Sequence, residues 1–164
     1  MSSTTKSCET GKTQFSINSA IKAGIIATVA MTMFTFMAPL MGFEMNIPKM
    51  LAGTMNTPII MGWLAHFMIG TILAINFAAL FLPKFQSTNN IKTGAMFSLI
   101  PWLMAQVAVM PMMTLMNGGT YGDGFFSGSI LIAGASLMGH ILYGVVLGFV
   151  YRPMPSDEFI PQTN

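Results

Sequence analysis

Long apolar stretches alternate with short segments rich in polar residues, proline and glycine along the 164 residues of this chain. An α-helix needs about 20 mainly apolar residues to cross the ~30 Å hydrocarbon core of a bilayer. Four stretches have that length, at residues 20–43, 59–82, 91–116 and 125–151. They are too long and too uniformly apolar for the alternating strands of a membrane barrel, so we predict an all-α membrane protein, a bundle of four transmembrane helices.

Prolines mark where several of these stretches end. Pro48 and Pro58 frame the first loop, and Pro83 ends the second stretch. Within the first loop, Asn46 is expected to cap a short helix that has Pro48 in its first turn and lies at the membrane interface. The expected domain organisation is a flexible tail at residues 1–18, a transmembrane domain at residues 19–152 and a second tail at residues 153–164.

The composition excludes several classes of protein. Charged residues make up 7% of the chain and hydrophobic residues 53%, whereas a soluble domain carries about 25% charged residues. The net charge of +2 provides no broad basic surface, so lipid, and not nucleic acid, is the expected partner. Cys8 is the only cysteine, which excludes an internal disulfide and a site built from several thiolates.

The positions of the basic residues predict an orientation in the membrane. Lys49 lies in the first loop, whereas the other basic residues all fall on the opposite side of the predicted spans: Lys6, Lys12, Lys22, Lys84, Lys92 and Arg152. The positive-inside rule therefore predicts a multi-pass protein of the inner (plasma) membrane with both termini in the cytoplasm.

An internal repeat relates the two halves of the chain. The pattern H-x3-G-x2-L-x3-[FY] begins at His66 and again at His140, and the preceding spans share I-K-x-G from Ile21 and from Ile91. This predicts two tandem helical hairpins. Small residues on the same helix faces let helices approach closely in lipid, and the predicted packing positions are Gly62, Gly70, Ser136, Gly144 and Gly148.

Three segments together resemble a known family. They are MAPLMGFEMNIP at 37–48, HFMIG at 66–70 and GHILYGVVLG at 139–148. They resemble a family of small four-helix bacterial integral membrane proteins of unknown function, and the resemblance covers about residues 20–151. It implies a bacterial inner-membrane protein with four spans, and it implies no substrate and no catalytic residue.

Groups able to catalyse a reaction are scarce in the predicted spans. The spans contain no Asp or Glu, and their basic residues lie only at the ends. Pumps and proton-coupled transporters usually place carboxylates near the middle of the membrane. The motifs G-x-S-x-G, H-E-x-x-H and the P-loop are absent as well. We therefore predict that the protein is not an enzyme.

His66, His140 and Gln106 are the strongest polar groups within the spans. One hypothesis is that the two histidines bind the iron of haem b or another metal ion. The other is that each imidazole hydrogen-bonds a neighbouring helix. Measured from the predicted span ends, His66 is about 7 residues deep and His140 about 15, an offset of ~12 Å at 1.5 Å per residue. This offset favours the second hypothesis.

Methionine is unusually frequent, with 18 residues. Two groups lie towards the predicted outer face: Met33, Met37, Met41 and Met45, and Met110, Met112, Met113 and Met116. Thioethers suit Cu(I), so copper binding is one hypothesis. We favour the other, that methionine fills irregular gaps in the bundle, because no cysteine or histidine is adjacent to these groups in the sequence.

The function predicted from these observations is an accessory or packing subunit of a larger membrane assembly. Short loops, no sizeable soluble domain and extensive small-residue faces favour association with other membrane subunits or with itself. The alternatives are a haem- or metal-binding bundle that uses His66 and His140, and a small transporter or channel.

Reporter fusions test the predicted topology. Fusions at Ser2, Ser87 and Thr163 should report a cytoplasmic location, and fusions at Thr54 and Thr120 an external one, because basic loops are retained in the cytoplasm. An external Ser87 would contradict the predicted orientation.

Overall fold

The computed structural model describes residues 15–85 and 90–154. Cys8, most of both predicted tails and the fusion sites Ser2, Ser87 and Thr163 lie outside these residues. All regular elements within them are helices, which confirms the all-α prediction. The longer helices are α1 (Ile17–Thr35), α2 (Ile47–Thr54), α3 (Ile59–Phe85), α4 (Asn90–Met116) and α5 (Ile130–Val150).

Four helices among the described residues are long and apolar enough to cross a membrane: Ile17–Leu40, Ile59–Phe85, Asn90–Met116 and Ile130–Val150. They confirm the predicted four-helix bundle and indicate a membrane protein. The remaining helix, α2, has eight residues and is too short to span a bilayer. Asn46 caps α2 as predicted, since its Oδ1 accepts the Lys49 backbone N–H at 2.9 Å.

Two predicted span boundaries differ from the observed helices. The first span was predicted at residues 20–43, but α1 ends at Thr35 and is followed by a 3-10 turn, Ala38–Met41. The fourth span was predicted from residue 125, but α5 begins at Ile130. Phe126 and Ser127 have positive φ angles of 48° and 58°, which an α-helix does not allow. Apolar side chains extend through both segments, so hydropathy alone could not locate these boundaries.

Close contacts at glycines join the helices within each hairpin. A side-chain carbon on Gly24 of α1 would lie 2.8 Å from the Cβ of Ala74 and 3.2 Å from the carbonyl oxygen of Gly70, both in α3. A side-chain carbon on Gly94 of α4 would overlap the carbonyl oxygen of Gly144 in α5. Both pairs begin at the I-K-x-G glycine and end at the repeated H-x3-G glycine. The predicted tandem hairpins are therefore α1 with α3 and α4 with α5.

The other predicted packing positions have different neighbours. A side-chain carbon on Gly62 would overlap the carbonyl oxygen of Pro48, so this glycine lets α2 lie against α3. A side-chain carbon on Gly148 would overlap the carbonyl oxygen of Asn90 at the start of α4. Ser136, by contrast, accepts a hydrogen bond from a side chain of α4 and is described with the site below.

The hairpins join through α1, which packs against both α3 and α5. Contacts between α3 and α4 are concentrated near the π-helical turn Phe77–Phe81. There an aromatic cluster closes the bundle: the ring centroids of Phe77 and Phe97 are 5.4 Å apart, and those of Phe77 and Tyr151 are 6.2 Å apart. We call this the aromatic end and the opposite end, where α2 crosses α3, the α2 end. Towards the α2 end, α3 and α4 diverge.

Alanine at Gly144 should destabilise the bundle, because the added carbon would overlap the Gly94 backbone. We expect a loss of about 1–3 kcal/mol in the free energy of unfolding, measured as a lower thermal unfolding midpoint in detergent. Gly70→Leu should also lower the midpoint, since Thr28 fills the space beside Gly70.

Gly134 provides the matched control, since it lies on the same helix, is exposed and has open space around it. Gly134→Ala should leave the midpoint unchanged or raise it, because alanine favours helix. Equal midpoints for Gly134→Ala and Gly144→Ala would contradict the assigned interface.

Candidate functional site

A cavity of about 660 Å³ lies between the diverging helices α3 and α4. All four long helices and α2 contribute to its walls. Towards the aromatic end the cavity extends as far as Tyr143 and Gly70. There the Tyr143 hydroxyl donates a 2.5 Å hydrogen bond to the carbonyl oxygen of Gly70. At the α2 end the exposed side chains of Glu44 and Lys49 border it. Its volume is within the range of protein sites for small molecules and cofactors, about 300–1,000 Å³.

His140 borders this cavity from α5. Its Nδ1 lies 2.8 Å from the carbonyl oxygen of Ser136, one turn earlier in the helix. A carbonyl oxygen can only accept, so we assign the ring proton to Nδ1 and the lone pair to Nε2. Every wholly buried polar side-chain atom of the described residues has a partner, and Nε2 has no hydrogen bond within them. Nε2 therefore borders open space.

His66 borders the cavity from α3 and is 7% exposed. Its Nε2 lies 2.9 Å from the Thr32 hydroxyl of α1. That hydroxyl also lies 2.7 Å from the carbonyl oxygen of Thr28, to which it donates its single proton. The Thr32 oxygen is therefore the acceptor towards His66, so Nε2 is protonated and Nδ1 holds the lone pair. Each imidazole is thus fixed by one nitrogen and presents the other as a base.

The two histidines lie at similar depths, contrary to the offset estimated from the sequence. His66 is seven residues from the start of α3 and His140 ten residues from the start of α5, which reduces the estimate to ~4.5 Å. Gly70 lies about one helical turn after His66, and Tyr143 lies about one turn after His140. Because Tyr143 and Gly70 are hydrogen-bonded, the two histidines are at similar depths. The observed start of α5 accounts for the difference.

Gln106 belongs to a polar network beside the cavity. It lies in the π-helical turn Ala105–Val109 of α4 and is 1% exposed. Its Nε2 donates to the Ser136 hydroxyl at 3.2 Å, and its Oε1 accepts the Ser127 hydroxyl at 2.8 Å. The amide is therefore held by α5 and by the segment before it. Because Ser136 also provides the carbonyl that anchors His140, the network stabilises the position of that imidazole.

The segment between α4 and α5 turns back into the bundle at Ser127. Positive φ angles at two successive non-glycine residues, Phe126 and Ser127, cost of order 1–3 kcal/mol each. Tyr121 anchors the segment, because its hydroxyl donates a 3.0 Å hydrogen bond to the carbonyl oxygen of Val107. Pro111, four residues after Val107, has no N–H and cannot donate the usual helical hydrogen bond to that oxygen. Hydrogen bonds from the Thr120 hydroxyl and backbone N–H lower the pKa of the Asp123 carboxyl.

A family model describes most of the chain. The model of a family of unknown function, DUF6789, matches residues 15–159. The chain belongs to this family. No curated protein and no solved structure gives a significant match. The matched range contains both histidines and Gln106, so the residues that border the cavity of this DUF6789 protein all lie within the part of the chain that the family model matches.

The methionines of this DUF6789 protein divide between the cavity and the bundle surface. Met33 and Met37 are 67% and 57% exposed, and Met112 and Met116 are also exposed. By contrast, five methionines border the cavity: Met31, Met45, Met50, Met110 and Met113. The structure thus brings thioethers and both histidines to one cavity, although neither methionine group has a histidine beside it in the sequence. No group of three or more His, Cys, Asp or Glu side chains that could hold a metal occurs within residues 15–85 and 90–154.

Three residues of the site were not selected from the sequence. Thr32 fixes His66, Tyr143 links α5 to α3, and Ser127 reaches Gln106 from a loop. Thr32 follows Thr28 at i+4 on the small-residue face of α1, which is the one sequence signal that could have indicated its position. Tyr143 and Ser127 meet partners distant in the chain, and no local pattern specifies such pairs.

The assigned tautomers can be measured by nitrogen NMR on protein labelled with ¹⁵N-histidine. We expect His140 to be protonated at Nδ1 and His66 at Nε2, because their hydrogen-bond partners are acceptors. Thr32→Val should alter the His66 signals alone, since valine removes its acceptor and leaves the Ser136 carbonyl in place. A His140 ring protonated only at Nε2 would contradict the assigned geometry.

Proposed function

We propose that this protein is a non-enzymatic membrane protein that binds a metal centre, either an ion or haem iron, inside its four-helix bundle. The observation on which the proposal rests is the pair of anchored imidazoles in one cavity. The His66 ring donates its N–H to the Thr32 hydroxyl of α1, and the His140 ring donates its N–H to the Ser136 carbonyl oxygen of its own helix. The other nitrogen of each ring has no hydrogen-bond partner among the described residues. Histidines that bind metals are oriented in this way by hydrogen bonds from their second nitrogen.

The surroundings of the histidines support a binding role over catalysis. The four spans contain no carboxylate, and the Tyr143 hydroxyl at the deep level of the cavity donates its proton to the Gly70 carbonyl oxygen. The imidazoles are therefore the groups there with an available lone pair for a ligand. Gln106 is held in place by both of its side-chain hydrogen bonds. A rigid, mainly apolar cavity with few polar groups suits a resident ligand.

The proposed location is the inner membrane of a bacterium, with both termini in the cytoplasm. Six of the seven basic residues support this orientation through the positive-inside rule. In that orientation the α2 end and the cavity mouth face away from the cytoplasm. A role as an accessory subunit of a larger assembly stays a prediction, and it is compatible with a bound metal centre.

Purification from native membranes in mild detergent tests the proposal. Metal analysis and an optical spectrum should show one metal centre per chain or per small oligomer. His66→Ala and His140→Ala should each abolish it, and the double variant should be no worse than either single variant, because the two ligands act on one centre.

Tyr143→Phe is the matched control. It removes an interhelical hydrogen bond beside the cavity but no nitrogen lone pair, so the metal centre should remain. If the histidines only join helices, the wild-type protein should be colourless and metal-free. Each His→Ala change would then cost ~0.6 kcal/mol, at most about 2, in additive fashion, and the proposal would be wrong.

A further inference from the structure

We propose that the metal centre is a single Cu(I) ion held by His66 and His140 and by thioether sulfurs of the methionines that border the same cavity. This inference depends on the proposed function and specifies its ligand. It also gives the methionines at the mouth a role, as soft donors along the route between the α2 end and the histidines.

Charge favours a monovalent ion at this depth. Near the histidines the cavity is bordered by neutral groups, and the nearest carboxylate that borders it is Glu44, which lies at the mouth with its side chain 82% exposed. The cost of moving an ion from water into a medium of low dielectric constant rises with the square of its charge. A divalent ion such as Zn²⁺ or Cu²⁺ would keep both charges unpaired here, whereas Cu(I) brings one.

Donor chemistry selects copper among the monovalent ions. The alkali ions prefer oxygen ligands, whereas imidazole nitrogen and thioether sulfur suit Cu(I). Neutral donors are sufficient for Cu(I), because it binds soft ligands without needing a carboxylate. The cavity offers two imidazoles, at His66 and His140, with five thioethers bordering the same space.

The methionines border the cavity at more than one level. Met45 and Met113 are buried, at 8% and 7% exposure, and lie near the α2 end. Met31 lies deeper, on α1 between Thr28 and Thr32, and Thr32 itself contacts His66. Thioethers therefore border both the entrance and the deeper part of the cavity. Methionine side chains are flexible enough to reach an ion by changing rotamer.

Competition with a coloured Cu(I) chelator tests the inference on the full chain in detergent, under anaerobic reducing conditions. The wild-type protein should remove one Cu(I) per chain from bicinchoninate. His66→Ala and His140→Ala should each weaken binding by more than about tenfold, and X-ray absorption should show both nitrogen and sulfur neighbours around copper.

Two pairs of neighbouring methionines provide matched controls. Met31→Leu removes the deeper thioether and should weaken Cu(I) binding by about tenfold. Met113→Leu removes a thioether near the entrance and should slow the uptake of Cu(I) while leaving its final affinity unchanged. Met33→Leu and Met112→Leu remove exposed thioethers on the same helices and should have no effect. Leucine conserves volume, so these four variants should fold even if a histidine variant does not.

The outcomes separate this inference from the proposed function. Equal Cu(I) affinity in Met31→Leu and Met33→Leu would show that the deeper thioether is not a ligand and would overturn the inference. Haem or zinc that co-purifies with the native protein and depends on both histidines would also overturn it, yet would leave the proposed function standing. A native protein that contains no metal and binds no Cu(I) would overturn both.

Discussion

Backbone contact at two glycine pairs is the constraint on which the other features of this bundle depend. In lipid no hydrophobic driving force brings apolar helix faces together. Helices therefore associate only when they approach closely enough for extensive van der Waals contact. Gly24 with Gly70 and Gly94 with Gly144 provide that approach in the two hairpins. Because these contacts lie in the first half of α1 and of α4 and in the interior of α3 and α5, they fix the depth of the side chains on α3 and α5 relative to the partner helix.

The cavity follows from how the hairpins are joined. They share α1 as a common neighbour, and the aromatic cluster around Phe77 brings α3 and α4 together at one end. At the other end α2 lies on α3, where Gly62 permits close contact with Pro48. The space left between α3 and α4 is bordered by both repeated histidines, because the glycine pairs place the two copies of H-x3-G at similar depths.

Hydrogen bonding then decides which polar groups remain available to a ligand. Thr28 and Thr32 direct their protons to carbonyl oxygens of their own helix, as hydroxyl groups in apolar surroundings commonly do. Gln106 is held by two serines, and Tyr143 donates to a backbone oxygen. After these pairings the imidazole nitrogens are the basic groups bordering the deep part of the cavity that have no hydrogen-bond partner among the described residues. They give an otherwise apolar cavity its capacity to bind a Lewis acid.

The sequence by itself determined the class of protein, the number of spans, the cap of α2 by Asn46 and the repeat that predicts two tandem hairpins. These features depend on the length of apolar segments and on residue spacing along single helices, both of which are local. Only the tertiary structure showed that α5 begins at Ile130, that His66 and His140 are nearly level, and that Met31 and Met113 share their cavity while Met33 and Met112 do not. Left-handed residues before α5 and contacts between distant helices decide these features. A hydropathy profile cannot show where α5 begins or which methionines face the cavity, because it records how apolar a side chain is and not the direction in which it points.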